Sequence, residues 1–212
     1  MTETILYDYW RSSASYRLRI ALNLAGIAYR RVPVDLVAGA HKAPAHLARN
    51  PQGLVPVLEI DGQRFTQSLA ILDYLDQTRQ LGLLPADPVA AAKQRALAHS
   101  LAVDVHPVCN LGVAGHVADL MPDHPEARAD WMRHFIAPGL RAFEALLAQS
   151  PPAPFCGGAA PGLADLCLIP QLYNARRWNV DVSDCPRIAA VETACAAHPA
   201  FAAARPEAVK PA

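Results

Sequence analysis

Residues 54–66, LVPVLEIDGQRFT, are typical of a β-hairpin. Two β-prone runs flank the pair Asp61-Gly62, and Asp-Gly is a strong signal for a tight turn between paired strands. Pro56 stands at the start of the first run, where a residue that cannot donate to a sheet is tolerated. A cis Val55-Pro56 bond would leave the Val55 backbone able to pair with an extended ligand, whereas frequency alone favours an ordinary trans proline.

The segments on either side of this hairpin predict further strands and helices. The predicted order is strand, helix, strand, weak helix, hairpin and helix, over residues 4–9, 15–25, 29–34, 43–49, 54–66 and 68–78. Gly26 is expected to end the first helix in a left-handed conformation. The order βαβ-α-ββα is the thioredoxin arrangement. We therefore predict a thioredoxin-like α+β domain over residues 1–81.

The second half of the chain has a different character. Beyond a linker at residues 82–89, where glycine and prolines interrupt any periodicity, only helical periods remain. The predicted helices cover residues 89–104, 108–120, 126–148, 163–178 and 185–197. Pro107 is expected to bend or interrupt the first long segment. We therefore predict an all-α C-terminal domain over residues 90–212, with an Ala/Pro-rich tail from Ala202.

Charge and composition limit the partners of the chain. Its 212 residues include 19 Lys+Arg and 19 Asp+Glu, a net charge of +0, which argues against a long-range field for nucleic acid or an anionic membrane. No apolar run approaches the ~20 residues of a spanning helix, and residues 1–4, MTET, do not resemble a signal peptide. Five cysteines without a Cys-x-x-Cys pair predict reduced thiols, mostly in the core. We expect a cytoplasmic protein with no nucleic-acid, membrane or metal partner.

Six motifs carry a resemblance to a known family. They are WRSSASYRLRIAL at 10–22, NP at 50–51, VPVL at 55–58, QSLAILDYL at 67–75, ADLCLIPQ at 164–171 and NARRW at 174–178. The chain resembles the glutathione transferase family, most closely its zeta class, which includes maleylacetoacetate and maleylpyruvate isomerases. The resemblance spans about residues 4–200. It departs from the class at Ala14, where a cysteine is usual, and at Gly162, where a Ser or Thr usually caps the helix.

The resemblance implies glutathione as the cofactor and the serine cluster as the place where its thiol becomes a thiolate. A thiol of pKa about 8.5 is only a few per cent ionised at neutral pH. A hydroxyl and the unpaired N–H groups at a helix start can lower that pKa by about one to two units. By correspondence with the class, Ser13 contacts the thiol and Ser12 and Ser15 support it. The plain alternative for these serines is a helix N-cap.

Ala14 bears on the origin of the reactive sulfur. The thioredoxin fold usually carries redox cysteines at this junction between strand and helix, and this sequence has none there. Dithiol exchange and a protein-cysteine nucleophile are therefore excluded at that site. We expect the bound tripeptide to provide the sulfur.

The resemblance also implies which residues hold the tripeptide. The Gln67-Ser68 pair, at the start of a predicted helix, would hold the γ-glutamyl carboxylate through the Ser68 hydroxyl and backbone N–H. The Val55-Pro56 pair would present the Val55 backbone to the cysteinyl unit, as in strand addition. In the helical half, His106 and Asn110 match positions that reach toward glutathione in this class. A histidine before proline is, on its own, more often structural.

The resemblance implies a small dicarboxylate as the second substrate, since maleylacetoacetate and maleylpyruvate each carry two carboxylates. A guanidinium group binds a carboxylate through two parallel hydrogen bonds. Arg11 flanks the serine loop. One of Arg176 and Arg177 is also predicted to bind the substrate, and Arg177 is the better match to the class. For Arg17 and Arg19 the plain explanation is a solvated arginine that complements a helix dipole.

The resemblance implies glutathione-dependent cis–trans isomerisation of maleylacetoacetate to fumarylacetoacetate, as in the degradation of aromatic compounds. Maleylpyruvate isomerisation stays open, although Leu111-Gly112 lacks the extra arginine that maleylpyruvate-specific members can carry. General glutathione conjugation or dehalogenation of small acids is a second alternative. A non-catalytic scaffold is a third, and the intact serine, Val-Pro and Gln-Ser motifs argue against it. The class generally forms homodimers, so we expect a homodimer.

Overall fold

The computed structural model describes residues 3–211, and its chain divides into two units. The first unit runs from the N-terminal residues to Gly82 and takes in the chain from Ala197 onward. The second unit comprises Leu83–Ala196. The position of the C-terminal segment differs from the expectation that the helical domain extends to residue 212.

A four-stranded mixed sheet lies in the first unit. Its strands are β1 (Ile5–Asp8), β2 (Arg30–Pro33), β3 (Val57–Ile60) and β4 (Gln63–Thr66). The order across the sheet is β2-β1-β3-β4, with β1 and β2 parallel and the other neighbours antiparallel. Asp61 and Gly62 both have positive φ, 55° and 73°, as a two-residue turn between twisted strands requires. The predicted crossover and hairpin are confirmed.

Helices pack against this sheet and against one another. In the first unit they are α1 (Ser13–Leu24), α2 (Pro44–Leu47), α3 (Ser68–Arg79), α9 (Pro199–Ala204) and α10 (Pro206–Val209). The apolar residues Leu18 and Leu22 of α1 are fully buried, as their spacing predicts. Every residue of α1 from Ser13 to Leu22 is buried, because α1 packs on α9 as well as on α3.

Two arginines, Arg19, which is fully buried, and Arg31, which is half-buried, hold the C-terminal segment on the first unit. Arg19 Nη1 lies 2.8 Å from Asp8 Oδ2, and Arg19 Nε donates to the Ala204 carbonyl at 3.0 Å. Arg31 Nη2 lies 3.2 Å from Asp8 Oδ1, and Arg31 Nη1 donates to the Val209 carbonyl at 2.7 Å. The explanation of Arg19 as a solvated arginine is therefore wrong. Its charge is buried against Asp8, and its remaining N–H groups need the carbonyls that the C-terminal helices supply.

The second unit is all-helical, as predicted. Its helices are α4 (Pro88–His99), α5 (Leu111–Leu120), α6 (Ala127–Leu147), α7 (Leu163–Arg177) and α8 (Pro186–Ala197). Their core contains fully buried apolar side chains from α6 and α7, among them Ile136, Leu140, Phe143, Leu166 and Leu168. Within residues 3–211, no helix is both long and apolar enough to cross a bilayer.

The start of α7 is fixed by a buried carboxylate. Asp165 Oδ2 accepts the Gly162 N–H at 2.8 Å, and Asp165 Oδ1 accepts the Cys156 N–H at 2.9 Å. Gly162 has no side chain with which to cap the helix, so Asp165 provides the half of the capping box that remains. The departure from the class at Gly162 therefore leaves the helix start intact.

A π-helical segment separates α4 from the residues around His106. The predicted long helix ends its α-helical part at His99 and continues as a π-helix over Ser100–Val105. The His106 N–H donates to the Leu101 carbonyl at 2.8 Å, which is the five-residue spacing of a π-helix. A Cβ added to Gly139 of α6 would stand only 2.4 Å from Val105 Cγ2. The glycine therefore allows α6 to pack tightly against the end of this segment.

Candidate active site

The serine cluster begins α1 and lies where β1 ends. Ser12 is the N-cap, and its Oγ accepts the Ser15 N–H at 3.2 Å. Ser13 is the first residue of the helix and is 8% exposed. The N-cap alternative thus applies to Ser12. The backbone N–H groups of the first turn and the Ser13 side chain stand at the positive end of the helix dipole, where an anion is favoured.

Ser15 differs from its two neighbours. Its side chain is 0% exposed, and its Oγ makes no hydrogen bond within residues 3–211. A hydroxyl at this depth cannot contact a ligand directly in the observed arrangement. Ser15 contributes to the cluster through its backbone N–H, which satisfies the Ser12 cap.

Residues from three sequence motifs lie at one end of the sheet. In the antiparallel register, Tyr7 of β1 faces Val57 of β3, and Val57 faces Thr66 of β4. The chain that leaves β1 toward Ser12-Ser13, the Val55-Pro56 pair that enters β3, and the Gln67-Ser68 pair that leaves β4 therefore lie at the same end of the sheet. The fold brings together every candidate of the first unit that was predicted to hold glutathione.

The Gln67-Ser68 pair has a distinctive backbone and a buried neighbour. Gln67 has φ 67° and ψ 107°, a conformation that costs a non-glycine residue about 1–3 kcal/mol and that clusters at functional sites. Its Nε2 donates to Gln52 Oε1 at 2.8 Å. Ser68 opens α3, is 6% exposed, and its Oγ accepts a hydrogen bond from Arg17 Nη1 at 3.0 Å. Arg17 is itself buried, so its explanation as a solvated arginine is wrong.

The Val55-Pro56 bond is cis in the structure, the less frequent of the two isomers left open by the sequence. Pro56 is buried and Val55 is half-buried, directly before β3. The Val55 backbone thus stands at the open end of the hairpin, beside the residues that leave β4.

Arg11 is held by two aromatic rings. Its Nη2 donates to the Tyr9 hydroxyl at 3.0 Å, and its Cζ lies 4.8 Å from the centre of the Trp10 ring. Cation–π contacts of this kind fix a guanidinium while leaving part of its fork available. Lys210 Nζ lies 5.4 Å from the same Trp10 ring. Sequence analysis missed Lys210, because nothing in the local pattern links the C-terminal tail to Trp10.

The predicted residues at the start of α5 have local structural roles. Asn110 caps α5, since its Oδ1 accepts the Val113 N–H at 2.9 Å and its Nδ2 donates to the Pro107 carbonyl at 2.7 Å. His106 is half-buried at the end of the π-helical segment. Their predicted contacts with glutathione stay predictions.

The two arginines that end α7 have different surroundings. Arg176 forms an ion pair with Glu192 of α8. Arg177 is exposed and lies over the Trp178 ring at 5.9 Å, with Arg128 Cζ at 5.8 Å from the same ring. Arg176 is therefore paired with a protein carboxylate, and Arg177 is exposed beside the ring of Trp178. Arg128 was not a candidate, because its place on α6 indicates only a solvated helix residue.

The cysteines of the chain offer no reactive thiolate. None of the five forms a disulfide, and all are buried. Burial raises the pKa of Cys109 to about 11, and burial together with a hydrogen bond to Asp184 raises that of Cys185 to about 11. Burial also raises the pKa of Cys156 and of Cys195. In the part of the chain that the structure covers, no three His, Cys, Asp or Glu residues are grouped so as to hold a metal ion.

Comparison with known proteins identifies the family. A model described as the N-terminal domain of glutathione S-transferase matches residues 2–77, and one for the C-terminal domain matches residues 114–203. The chain belongs to the glutathione S-transferase family. The resemblance and fold class predicted from sequence are confirmed.

Relatives within the family narrow the comparison to one class. The chain is 59% identical over 210 residues to a maleylacetoacetate isomerase of Rhizobium meliloti, covering 99% of each chain. A solved structure of a maleylpyruvate isomerase, described as a bacterial zeta-class glutathione S-transferase, superposes with a TM-score of 0.94 at 39% identity, covering 97% of this chain and 98% of that chain. A maleylacetoacetate isomerase of Methylobacterium extorquens AM1, with bound malonate and glutathione, gives a TM-score of 0.93 at 39% identity, covering 98% and 100%.

Proposed function

We propose that this protein is a glutathione-dependent cis–trans isomerase that converts maleylacetoacetate to fumarylacetoacetate in the degradation of aromatic compounds. The observation that carries the proposal is that Ser13, the Val55-Pro56 pair and the Gln67-Ser68 pair lie at the same end of the sheet. The 59% identity with a maleylacetoacetate isomerase over nearly the whole chain supports the same substrate.

The residues at this end of the sheet suit the charged and polar groups of a glutathione molecule. Ser13 and the first N–H groups of α1 suit a thiolate, and Ser68 with the first N–H groups of α3 suits a carboxylate. The Val55 backbone, which lies just before β3, suits the peptide unit between them. Gln67, which directly precedes Ser68, has a strained positive φ of 67°, and residues with such a backbone conformation cluster at functional sites.

Glutathione, when bound, supplies a thiolate that adds reversibly to the activated double bond, which becomes a rotatable single bond, and it leaves unchanged. Ser13 and the α1 dipole would keep the sulfur ionised near neutral pH. Arg11 would bind a substrate carboxylate and oppose the negative charge that moves onto the keto-enol system. The chain thus contributes orientation and electrostatic stabilisation, and its own thiols take no part.

Arg177 is the proposed second partner for a substrate carboxylate. Arg177 is exposed, its Cζ lies 5.9 Å from the centre of the Trp178 ring, and it is the better match to the zeta class. The relative that was crystallised with malonate and glutathione supports a small dicarboxylate as the class of substrate. We further propose a homodimer in the cytoplasm, on the ground of the zeta-class resemblance.

Maleylpyruvate is the second candidate substrate. The structural likeness to a maleylpyruvate isomerase, at a TM-score of 0.94, favours it. The two substrates share the cis double bond, the adjacent keto group and the two carboxylates, so the same residues serve both.

The proposal is tested by turnover with catalytic glutathione. Purified protein is incubated with maleylacetoacetate, and in parallel with maleylpyruvate, at a small molar fraction of glutathione, and the fumaryl product is followed. We expect many turnovers per glutathione, and none when S-methylglutathione replaces it, because the blocked sulfur cannot add. Consumption of one glutathione per substrate would instead identify conjugation. Failure to bind glutathione would identify a non-catalytic scaffold.

A further inference from the structure

Helix α1 places two arginines in the interior of the first unit. Arg17 is 2% exposed and Arg19 is 0% exposed. A buried guanidinium is costly unless its charge and N–H groups are used. Arg19 has a structural use, because it pairs with Asp8 and binds the Ala204 carbonyl. Arg17 contacts a different part of the first unit, the start of α3.

The contact of Arg17 lies at the start of α3. Its Nη1 donates to Ser68 Oγ at 3.0 Å, and both side chains are buried. A serine hydroxyl has one proton to donate and two lone pairs with which to accept. Because Arg17 occupies a lone pair, the Ser68 O–H does not point at Arg17 and can donate to another acceptor. The N–H groups of the first turn of α3 also lack helical partners there.

We propose that Arg17 is a positioning residue for the γ-glutamyl carboxylate of glutathione. It orients the Ser68 hydroxyl as a donor to that carboxylate through the hydrogen bond from Arg17 Nη1 to Ser68 Oγ. Arg17 acts through Ser68 and does not touch the ligand, since almost none of its surface is exposed. The inference rests on the proposed function, in which glutathione is the cofactor.

The arrangement explains why an arginine occupies this position. An apolar side chain could fill the same volume between α1 and α3 without a desolvation cost. A lysine would keep the charge but would lose the planar fork that holds a hydroxyl at a fixed angle. If Arg17 served only the packing of α1, its replacement would weaken the binding of every ligand equally. A positioning role instead predicts a loss of affinity only for ligands that carry the γ-glutamyl carboxylate.

The test compares two ligands on matched variants. Binding of glutathione and of γ-aminobutyryl-cysteinyl-glycine, which lacks only the α-carboxylate, is measured by calorimetry on the whole protein. The variants are Arg17→Met and Arg17→Lys, with Arg19→Lys as the control because it alters an equally buried arginine on the same helix. Thermal unfolding of each variant is followed by circular dichroism. Turnover at saturating glutathione is measured as well.

We expect Arg17→Met to weaken glutathione binding by about ten- to a hundredfold, the range for one hydrogen bond to a charged group. Binding of the truncated analogue should change less than about twofold, because the carboxylate that Arg17 serves is missing. Arg17→Lys should give an intermediate, carboxylate-specific loss. Turnover at saturating glutathione should stay within about threefold. Arg19→Lys should lower the unfolding temperature and change both affinities alike.

Equal losses for the two ligands, or unchanged glutathione affinity in a folded Arg17 variant, would overturn the proposal. If Arg17→Met does not fold, Arg17→Lys decides, and an Arg17→Lys protein that also fails to fold overturns the proposal, because a positioning role must be separable from folding. If the wild-type protein isomerises its substrate but the Arg17 variants show no ligand-specific loss of affinity, only this inference is overturned. If the wild-type protein does not bind glutathione, the proposed function is overturned together with this inference.

Discussion

Ser12 and Ser15 are joined by a hydrogen bond in which the Ser15 N–H donates to Ser12 Oγ at 3.2 Å. This bond commits the Ser12 hydroxyl to capping α1. Ser15 is fully buried. Ser13 is thus the serine of the cluster that combines a place at the helix start with some exposure, and the predictions for the reactive sulfur concern it first.

Replacement of Ser13 by alanine should impair thiolate formation. Loss of a hydrogen bond to an anionic sulfur costs about 1.5–3 kcal/mol, which corresponds to a rise of about one to two units in the pKa of the bound thiol. The acid limb of the pH–rate profile should therefore move to higher pH, and turnover at neutral pH should fall about ten- to a hundredfold. The pKa is measured by ultraviolet titration of the enzyme–glutathione complex. An unchanged pKa in a folded Ser13→Ala protein would remove Ser13 from the chemistry.

Replacement of Ser12 by alanine should chiefly affect stability. The N-cap bond to the Ser15 N–H is lost, which lowers the free energy of unfolding by about 1 kcal/mol. Urea unfolding at a fixed protein concentration measures this change. The pKa of the bound thiol should rise less than it does in Ser13→Ala. If Ser12→Ala gave the larger pKa change at unaltered stability, the assignment of the two serines would be reversed.

Local patterns predicted much of the first unit. The Asp61-Gly62 pair indicated the hairpin because both residues tolerate positive φ, and both adopt it. The spacing of Leu18 and Leu22 predicted α1, because the two residues share one face of a helix, and both are fully buried. Such features depend on residues that are close in sequence, so they can be predicted without knowledge of the tertiary fold.

The parts that escaped prediction depend on partners far away in the chain. Arg19 binds a carbonyl 185 residues away, and Arg31 binds one 178 residues away. An arginine on a helix is usually solvated, so burial of Arg17 and Arg19 could not be inferred from residue type. The C-terminal helices were missed for the same reason: an Ala/Pro-rich run has no strong apolar period, and its place is set by the donors of those arginines.

Asp165 gives a pH-dependent prediction. Burial raises the pKa of its carboxyl group, although the Cys156 and Gly162 N–H groups oppose the rise. Asparagine offers one acceptor to two N–H donors, so Asp165→Asn should destabilise the protein by about 1–3 kcal/mol. Between the unfolded pKa of about 3.9 and the higher folded pKa, the folded state binds more protons, and wild-type stability falls as pH rises.

The stability gap between wild type and Asp165→Asn should therefore shrink as pH rises. Asparagine does not titrate, and all other groups are shared by the two proteins, so the difference isolates Asp165. The free energies of unfolding are measured in urea at a series of pH values upward from the unfolded pKa of about 3.9. A gap that widens over this interval would contradict a raised pKa.

Arg176 and Arg177 form a matched pair for testing substrate recognition. Arg177→Met should lower kcat/KM for maleylacetoacetate by about ten- to a hundredfold, because a charge-assisted contact with a substrate carboxylate is lost. Arg176→Met should change kcat/KM by less than about threefold, because its guanidinium is already paired with Glu192. Steady-state kinetics on both variants provides the comparison. The reverse order of effects would assign the substrate contact to Arg176.

Gly139 should link the packing of α6 to the region of His106. In an open helix position, glycine to alanine stabilises by about 0.5–1 kcal/mol, and Gly115 of α5, with nothing within 4 Å of its added Cβ, should show that gain. At Gly139 the added Cβ would stand 2.4 Å from Val105 Cγ2, so the sign should reverse to a loss of about 1–3 kcal/mol.

The strain from Gly139→Ala should also reach the residue that follows the π-helical segment. Val105 immediately precedes His106, so a displaced Val105 moves His106 and should reduce kcat/KM as well as stability. Adding Val105→Ala removes the colliding methyl groups and should restore part of both losses, which a double-mutant cycle measures as a coupling energy. Independent, additive effects of the two substitutions would show that the contact between α6 and this segment does not control the position of His106.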